Sequence, residues 1–206
     1  GAKVILSGDT YDDAHEKAVS LQQSEGFTFL PPFNDQQVIA GQGTLGLEII
    51  ADLPEVDIIL VPVGGGGLIS GIAAAVKQQA PEVKVVGVEP VGAAAMKKSL
   101  AQGQIASLIE TETIADGIAV KKPGKLTYKL CQKYVDQIVT VSDEEIANAI
   151  LMLLERAKLT VEAAGAASLA AALNNKLEVE NKNIVSVLSG GNIDVNMIAR
   201  LIERGL

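Results

Sequence analysis

The chain has one cysteine, one histidine and no tryptophan, and aromatic residues make up 3% of its 206 positions. A lone Cys131 forms no intrachain disulfide and builds no metal cluster. It points to a reducing, cytoplasmic setting. A lone His15 excludes any metal site built on two histidines. It falls mid-helix among charged neighbours, so a solvated surface side chain is expected there. With so few aromatics the core must be Ala, Val, Leu and Ile, which suits a parallel sheet covered by helices. The net charge is −8 and the isoelectric point is near 4.7. With no basic block, that argues against nucleic acid as a partner. Charge is missing altogether from Ile58 to Val76. Hydropathy alone could take that run for a membrane span, but Pro62 and the glycines that follow make it a poor helix, and no membrane partner is expected. No signal-peptide pattern is read.

What is present centres on Val61-Pro62-Val63-Gly64-Gly65-Gly66-Gly67-Leu68-Ile69-Ser70-Gly71. Asp57 to Val61 is an apolar, β-branched run of strand length, and Leu68 to Ala80 reads as a helix stopped by Pro81. A strand that feeds a loop without side chains into a helix start suits a phosphate. The loop amides are uncovered and the helix N-terminus adds partial positive charge. No Gly-Lys-Ser/Thr closes the run, so it is not a P-loop, and its third glycine is misplaced for a dinucleotide fingerprint. A true G-x-G-x-x-G does occur at Gly41 to Gly46. It lies inside a helical stretch with no strand immediately before it, so its glycines are read as allowing close helix packing.

Along the chain, strands are expected at Ala2–Ser7, Phe27–Leu30, Asp57–Val61, Val83–Val88, Asp136–Val141 and Ile184–Leu188. Between them lie helices over Tyr11 to Glu25 (capped by Asp9 or Thr10), Asn34 or Asp35 to Ala51, and Gly92 to Gln102. Others run from Pro123 to Tyr134, from Ser142 to Lys158 behind a capping box, from Glu162 to Asn174, and from Asp194 to Gly205. Strands alternating with helices predict an α/β fold, an open and mostly parallel sheet with helices on both faces. Ligands of such sheets sit beyond the carboxyl ends of strands. Three loops qualify: Gly64 to Gly67, Glu89-Pro90, and Ser189 to Asn192. Ser189, a hydroxyl on a glycine-flanked tip after a buried strand, stands out as either a functional group or a turn serine. Cys131 reads as a packing residue.

Pro62 to Leu68 together with Leu188-Ser189-Gly190-Gly191-Asn192 resembles the threonine/serine dehydratase family, which includes serine racemase, among the fold-type II pyridoxal-phosphate enzymes. Supporting motifs are Gly1-Ala2-Lys3-Val4, Gly41-Gln42-Gly43-Thr44, Gly87-Val88-Glu89-Pro90, Thr113 to Gly117 and Glu162-Ala163-Ala164-Gly165, all in the family's order. Ala119 to Thr127 is similar to the catabolic threonine dehydratases in particular. The resemblance implies pyridoxal phosphate as cofactor, its phosphate held by the backbone amides of Gly64, Gly65, Gly66, Gly67 and Leu68. Ser189 would face the pyridine nitrogen and Gly117 would lie by the cofactor's edge. A neutral hydroxyl does not force protonation of that nitrogen as a carboxylate would, so the ring is a milder electron sink, which suits loss of a β-hydroxyl. Glu162 is either an acid near the site or a helix-start charge.

Two motifs of the family are missing. Its Schiff-base lysine belongs to Ser-Phe-Lys and its ring-side asparagine to Ser-x-Gly-Asn-His, and neither occurs here. The resemblance therefore implies the later part of the catalytic fold, with the N-terminal part missing. Residues 1–26 would be a remnant of the small domain and 27–206 an incomplete large, cofactor-binding domain, with no catalytic lysine in this chain. Some members build a metal site after Glu-Pro. Here Ala95 replaces its aspartate, leaving Glu89 and the Ala93 carbonyl, so no metal is expected. The complete enzyme would take threonine or serine to a 2-oxo acid and ammonia, within amino-acid metabolism that includes isoleucine biosynthesis. The rival readings are a serine racemase-like enzyme and a non-catalytic or assembly fragment. Sheet faces uncovered by a missing segment would favour a homo-oligomer.

Overall fold

The computed structural model describes residues 1–8 and 11–205, and it divides into two compact units, Gly1–Pro32 and Phe33–Leu206. In the first unit helix α1 (Tyr11–Glu25) is ended by Gly26, whose φ of +72° is open to glycine without strain. The expected caps Asp9 and Thr10 lie outside the described residues. Ala2–Ser7 and Phe27–Leu30 do not form the expected strands. A strand exists only through a hydrogen-bonded neighbour, and among the described residues neither segment has one. His15 also departs from expectation. It is half-buried, 6.0 Å from the Tyr11 ring and edge-on to Phe29 at 5.4 Å between centroids.

The second unit holds helices α2 (Gln36–Asp52), α3 (Gly67–Gln79), α4 (Ala95–Gln102), α5 (Lys125–Tyr134), α6 (Asp143–Met152), α7 (Ala163–Leu173) and α8 (Val195–Gly205). Its strands are β1 (Ile58–Pro62), β2 (Lys84–Pro90), β3 (Gln137–Val141) and β4 (Ile184–Ser186). The strands form one parallel sheet in the order β3-β2-β1-β4. Alternate residues along each strand enter two cores. Ile58, Leu60, Val86, Val88, Val139 and Val141 face α6 and α7. Ile59, Val61, Val85 and Ile138 face α3 and α5. Strands buried on both faces explain the near-continuous apolar runs of the sequence. β4 is shorter than the expected Ile184–Leu188, although the Val187 N–H still reaches the Leu60 carbonyl at 2.9 Å.

The glycines of Gly41–Gly46 lie within α2, as read from the sequence. A Cβ on Gly43 would come within 3.1 Å of the Gly71 carbonyl, and one on Gly46 within 3.0 Å of the Ile72 carbonyl. They let α2 and α3 pack backbone to backbone. The expected helix over Gly92–Gln102 is broken. A 3₁₀ turn at Val91–Ala93 precedes α4. The break lets the Glu89 carboxylate accept from both the Met96 and Lys97 N–H groups at 2.8 Å, capping α4. Pro123 sits just outside α5, whose N-cap is Gly124. The Ser142 capping box is present, with Glu145 N–H donating to Ser142 Oγ at 3.2 Å and Ser142 N–H to Glu145 Oε2 at 2.8 Å. Beyond Met152 the chain continues as a π turn, Leu153–Ala157, ended by Lys158 with φ +59°.

Candidate cofactor site

The chain runs β1, β2, β3 in one direction and then returns to place β4 on the other side of β1. The order therefore reverses between β1 and β4, and in open parallel sheets the ligand crevice lies at such a reversal, beyond the carboxyl ends. The loop after β1 is the glycine run and the loop after β4 is Ser189 to Asn192. The pairing of Leu60 with Ser186 sets the two loops level with each other.

The glycine run is built from its missing side chains. Gly66 has φ +92° and is the N-cap of α3. A Cβ there would meet Met96 Cε at 2.6 Å and Thr127 Cβ at 3.0 Å. Side chains on Gly65 or Gly67 would collide with Phe33, and one on Gly64 would come within 3.0 Å of Ile118 Cα. Two carbonyls of the run are used: Gly65 O accepts from the Thr127 hydroxyl at 2.6 Å, and Gly66 O accepts from Ser70 N–H at 3.1 Å. Among the described residues none of the N–H groups of Gly64 to Leu68 finds a protein acceptor. Satisfied carbonyls beside unused amides, at the start of a thirteen-residue helix, form a cradle for an anion.

Ser189 is exposed, and its hydroxyl has no protein partner among the described residues. The rest of its loop is braced by the start of α7. Glu162 N–H donates to Gly190 O at 3.1 Å, and Asn192 N–H donates to Glu162 Oε2 at 2.9 Å. Gly165 lets the loop lie against α7, since a Cβ there would sit 3.1 Å from both Ser189 N and Gly190 O. Glu162 thus combines the helix-start position with a side chain that holds the loop. Gly117 lies in a 3₁₀ turn, Asp116–Ile118, and a Cβ on it would meet Ala164 Cβ at 3.1 Å and Glu162 Oε1 at 3.5 Å.

A cleft of about 440 Å³ runs along β4, with Leu68 and Ser189 both in its wall beside Gln42 and Leu45. A second cavity of about 140 Å³ is lined by Asp116, Glu162 and Asn192. The structure thus brings Leu68 and Ser189 to one cleft. A Cβ on Gly64 would meet Ile118 of the Gly117 turn, one on Gly117 would approach Glu162, and Glu162 braces the Ser189 loop.

Glu89 is fully buried, and burial pushes its carboxyl up to about 7 against the opposing pull of the Lys97 and Met96 amides. Both its oxygens are engaged by those amides. Among the described residues no group of three or more His, Cys, Asp or Glu is arranged to hold a metal ion. Cys131 is fully buried beside Ser70 Oγ at 3.6 Å, and burial pushes its thiol up to about 12. It packs, as expected. Sequence reasoning missed Thr127, Phe33 and the capping role of Glu89. Only Glu89 left a signal, as an acid directly after the apolar run Val85–Val88.

Comparison with known proteins places these features. The chain matches the family described as pyridoxal-phosphate dependent enzyme over residues 1–190. It is 56% identical over all 206 residues to the L-threonine ammonia-lyase of Thermotoga maritima, of which it covers 51%. The processed form of threonine deaminase isoform 2 from Solanum lycopersicum superposes with a TM-score of 0.90 at 40% identity, over 97% of this chain and 56% of that one. Maize serine racemase superposes with a TM-score of 0.89 at 36% identity, over 100% of this chain and 64% of that one. An open parallel sheet flanked by helices, with these solved neighbours, defines the class, a fold-type II cofactor-dependent enzyme. The chain belongs to the pyridoxal-phosphate-dependent enzyme family, and the cofactor of that family is pyridoxal phosphate. It spans about half the length of the curated threonine ammonia-lyases it matches.

Proposed function

We propose that this chain supplies the cofactor cradle of a threonine/serine dehydratase, an enzyme that takes L-threonine or L-serine to a 2-oxo acid and ammonia. The observation that carries the reading is the row of unused amides from Gly64 to Leu68 in the loop after β1, beside a cleft that Leu68 shares with Ser189 of the loop after β4. When bound, pyridoxal phosphate supplies an electron sink that labilises the α-proton and the β-hydroxyl of an amino acid. The chain's own residues bind and orient. The amides of Gly64, Gly65, Gly66, Gly67 and Leu68 neutralise the phosphate without a side-chain cation. Ser189 offers a neutral donor or acceptor to the ring nitrogen. Gly117 leaves room at the ring's edge, and Glu162 holds the Ser189 loop in place.

We assign residues 1–26 to the small domain and 27–206 to the large one; the compact units divide later, after Pro32. The lysine that attaches the cofactor and moves the α-proton would come from residues outside this chain, since no Ser-Phe-Lys occurs in it. A homo-oligomer in the cytoplasm completes the reading, with a role in threonine breakdown or isoleucine biosynthesis. No described helix is long and apolar enough to cross a membrane. The serine racemase alternative is supported by the maize likeness. The test is to supply the full-length protein with threonine, serine and pyridoxal phosphate. Stoichiometric 2-oxo acid and ammonia are expected. D-serine without 2-oxo acid would favour the racemase, and no turnover with bound cofactor would favour the non-catalytic reading.

A further inference from the structure

The unused amides of the glycine run must be aimed, and the aim comes from a residue 61 positions downstream of Gly66. We propose that Thr127, in the first turn of α5, is a positioning residue of the phosphate cradle. This rests on the cofactor reading above. The Thr127 hydroxyl donates to Gly65 O at 2.6 Å, and the Gly124 N–H adds a longer bond to the same oxygen at 3.4 Å. Gly65 O and Gly66 N–H belong to one planar trans peptide, so they point in opposite directions. Pulling the carbonyl toward α5 turns the Gly66 N–H away from α5, to the side where no described protein group receives it.

The arrangement is rigid. Thr127 is fully buried, and its Oγ1 also lies 3.1 Å from Gly124 O, the back-bonding rotamer of a helical threonine. One hydroxyl proton serves both carbonyls, and the shorter distance gives it to Gly65. Thr127 Cβ stands 3.0 Å from where a Gly66 side chain would begin, so the peptide cannot rotate toward it. α5 is itself anchored on both flanks. Asn34 Oδ1 accepts Leu126 N–H at 2.9 Å, and Ser70 Oγ of α3 donates to Thr127 O at 3.3 Å. Thr127 acts through the peptide it holds.

The test compares pyridoxal phosphate with pyridoxal, which lacks the phosphate, binding to the cofactor-free full-length protein. Thr127→Val keeps the shape and removes the donor; Thr127→Ser restores it. Thr127→Cys, nearly isosteric and a much weaker donor, serves if the valine variant does not fold. Thr127→Val is expected to weaken pyridoxal phosphate binding about tenfold, the order of one hydrogen bond to a charged group, and to leave pyridoxal binding unchanged. Thr127→Ser is expected to return the phosphate preference. If wild type prefers the phosphate form and the valine and cysteine variants keep that preference in full, Thr127 does not aim the cradle. If wild type itself shows no preference for the phosphate form, the cofactor reading fails, and this inference with it.

Discussion

Glu89 shows how one buried carboxyl can make the fold sensitive to pH. Burial raises it from an ordinary 4.5 to about 7 in the folded chain. In that interval the folded state holds a proton that the unfolded chain has released. Its stabilising contribution is therefore complete below about pH 4.5 and lost as pH rises toward 7. Urea unfolding of wild type and Glu89→Gln at pH 5 and pH 8 should show wild type losing about 2 kcal/mol relative to the variant across that range. A difference that does not change with pH contradicts the raised carboxyl. Cys131 gives a second residue-scale expectation. With its thiol buried and pushed up to about 12, a disulfide reagent at pH 8 should label it only after denaturant is added. Rapid labelling of the native protein would show the α3–α5 seam to be open.

At the scale of elements, the two ends of the α2 glycine motif should respond oppositely. Gly41 has nothing within 4 Å of a built Cβ, so Gly41→Ala should stabilise α2 by about 0.5–1 kcal/mol. Gly46 faces Ile72 O at 3.0 Å and Val76 Cγ2 at 3.1 Å, so Gly46→Val should cost about 1–3 kcal/mol. Chemical denaturation of both variants checks the pair. Equal losses at both positions would mean the motif does something other than pack helices. Ser142→Ala, which removes the α6 capping box, should cost about 1 kcal/mol by the same measurement. These elements were legible because their signals are local. The capping box, the proline stops and the apolar runs each act within a few residues. Ala2–Ser7 and Phe27–Leu30 were misread because strand formation depends on a neighbour that composition cannot reveal. Thr127 left no trace, since its partner Gly65 is 62 residues away and a threonine in a first helical turn is ordinary. The glycine run and the Ser189 loop could be picked out separately. That they are adjacent follows only from β4 returning beside β1.

For the whole molecule, the sheet ends at β4, whose outer edge has no strand partner among the described residues, beside the cleft that Leu68 and Ser189 share. Edge, cleft and cradle lie together at the reversal point of the sheet. In the proposed function, the amides of Gly64 to Leu68 at that point hold the phosphate of the cofactor. Glycine-selective ¹⁵N labelling of the full-length protein tests it directly, by following the four cradle glycines as pyridoxal phosphate or pyridoxal is added. Large amide shifts at Gly64, Gly65, Gly66 and Gly67 with the phosphate form, and small ones with pyridoxal, are expected. Unmoved cradle amides in a protein that has bound pyridoxal phosphate would contradict the claim and place the phosphate elsewhere.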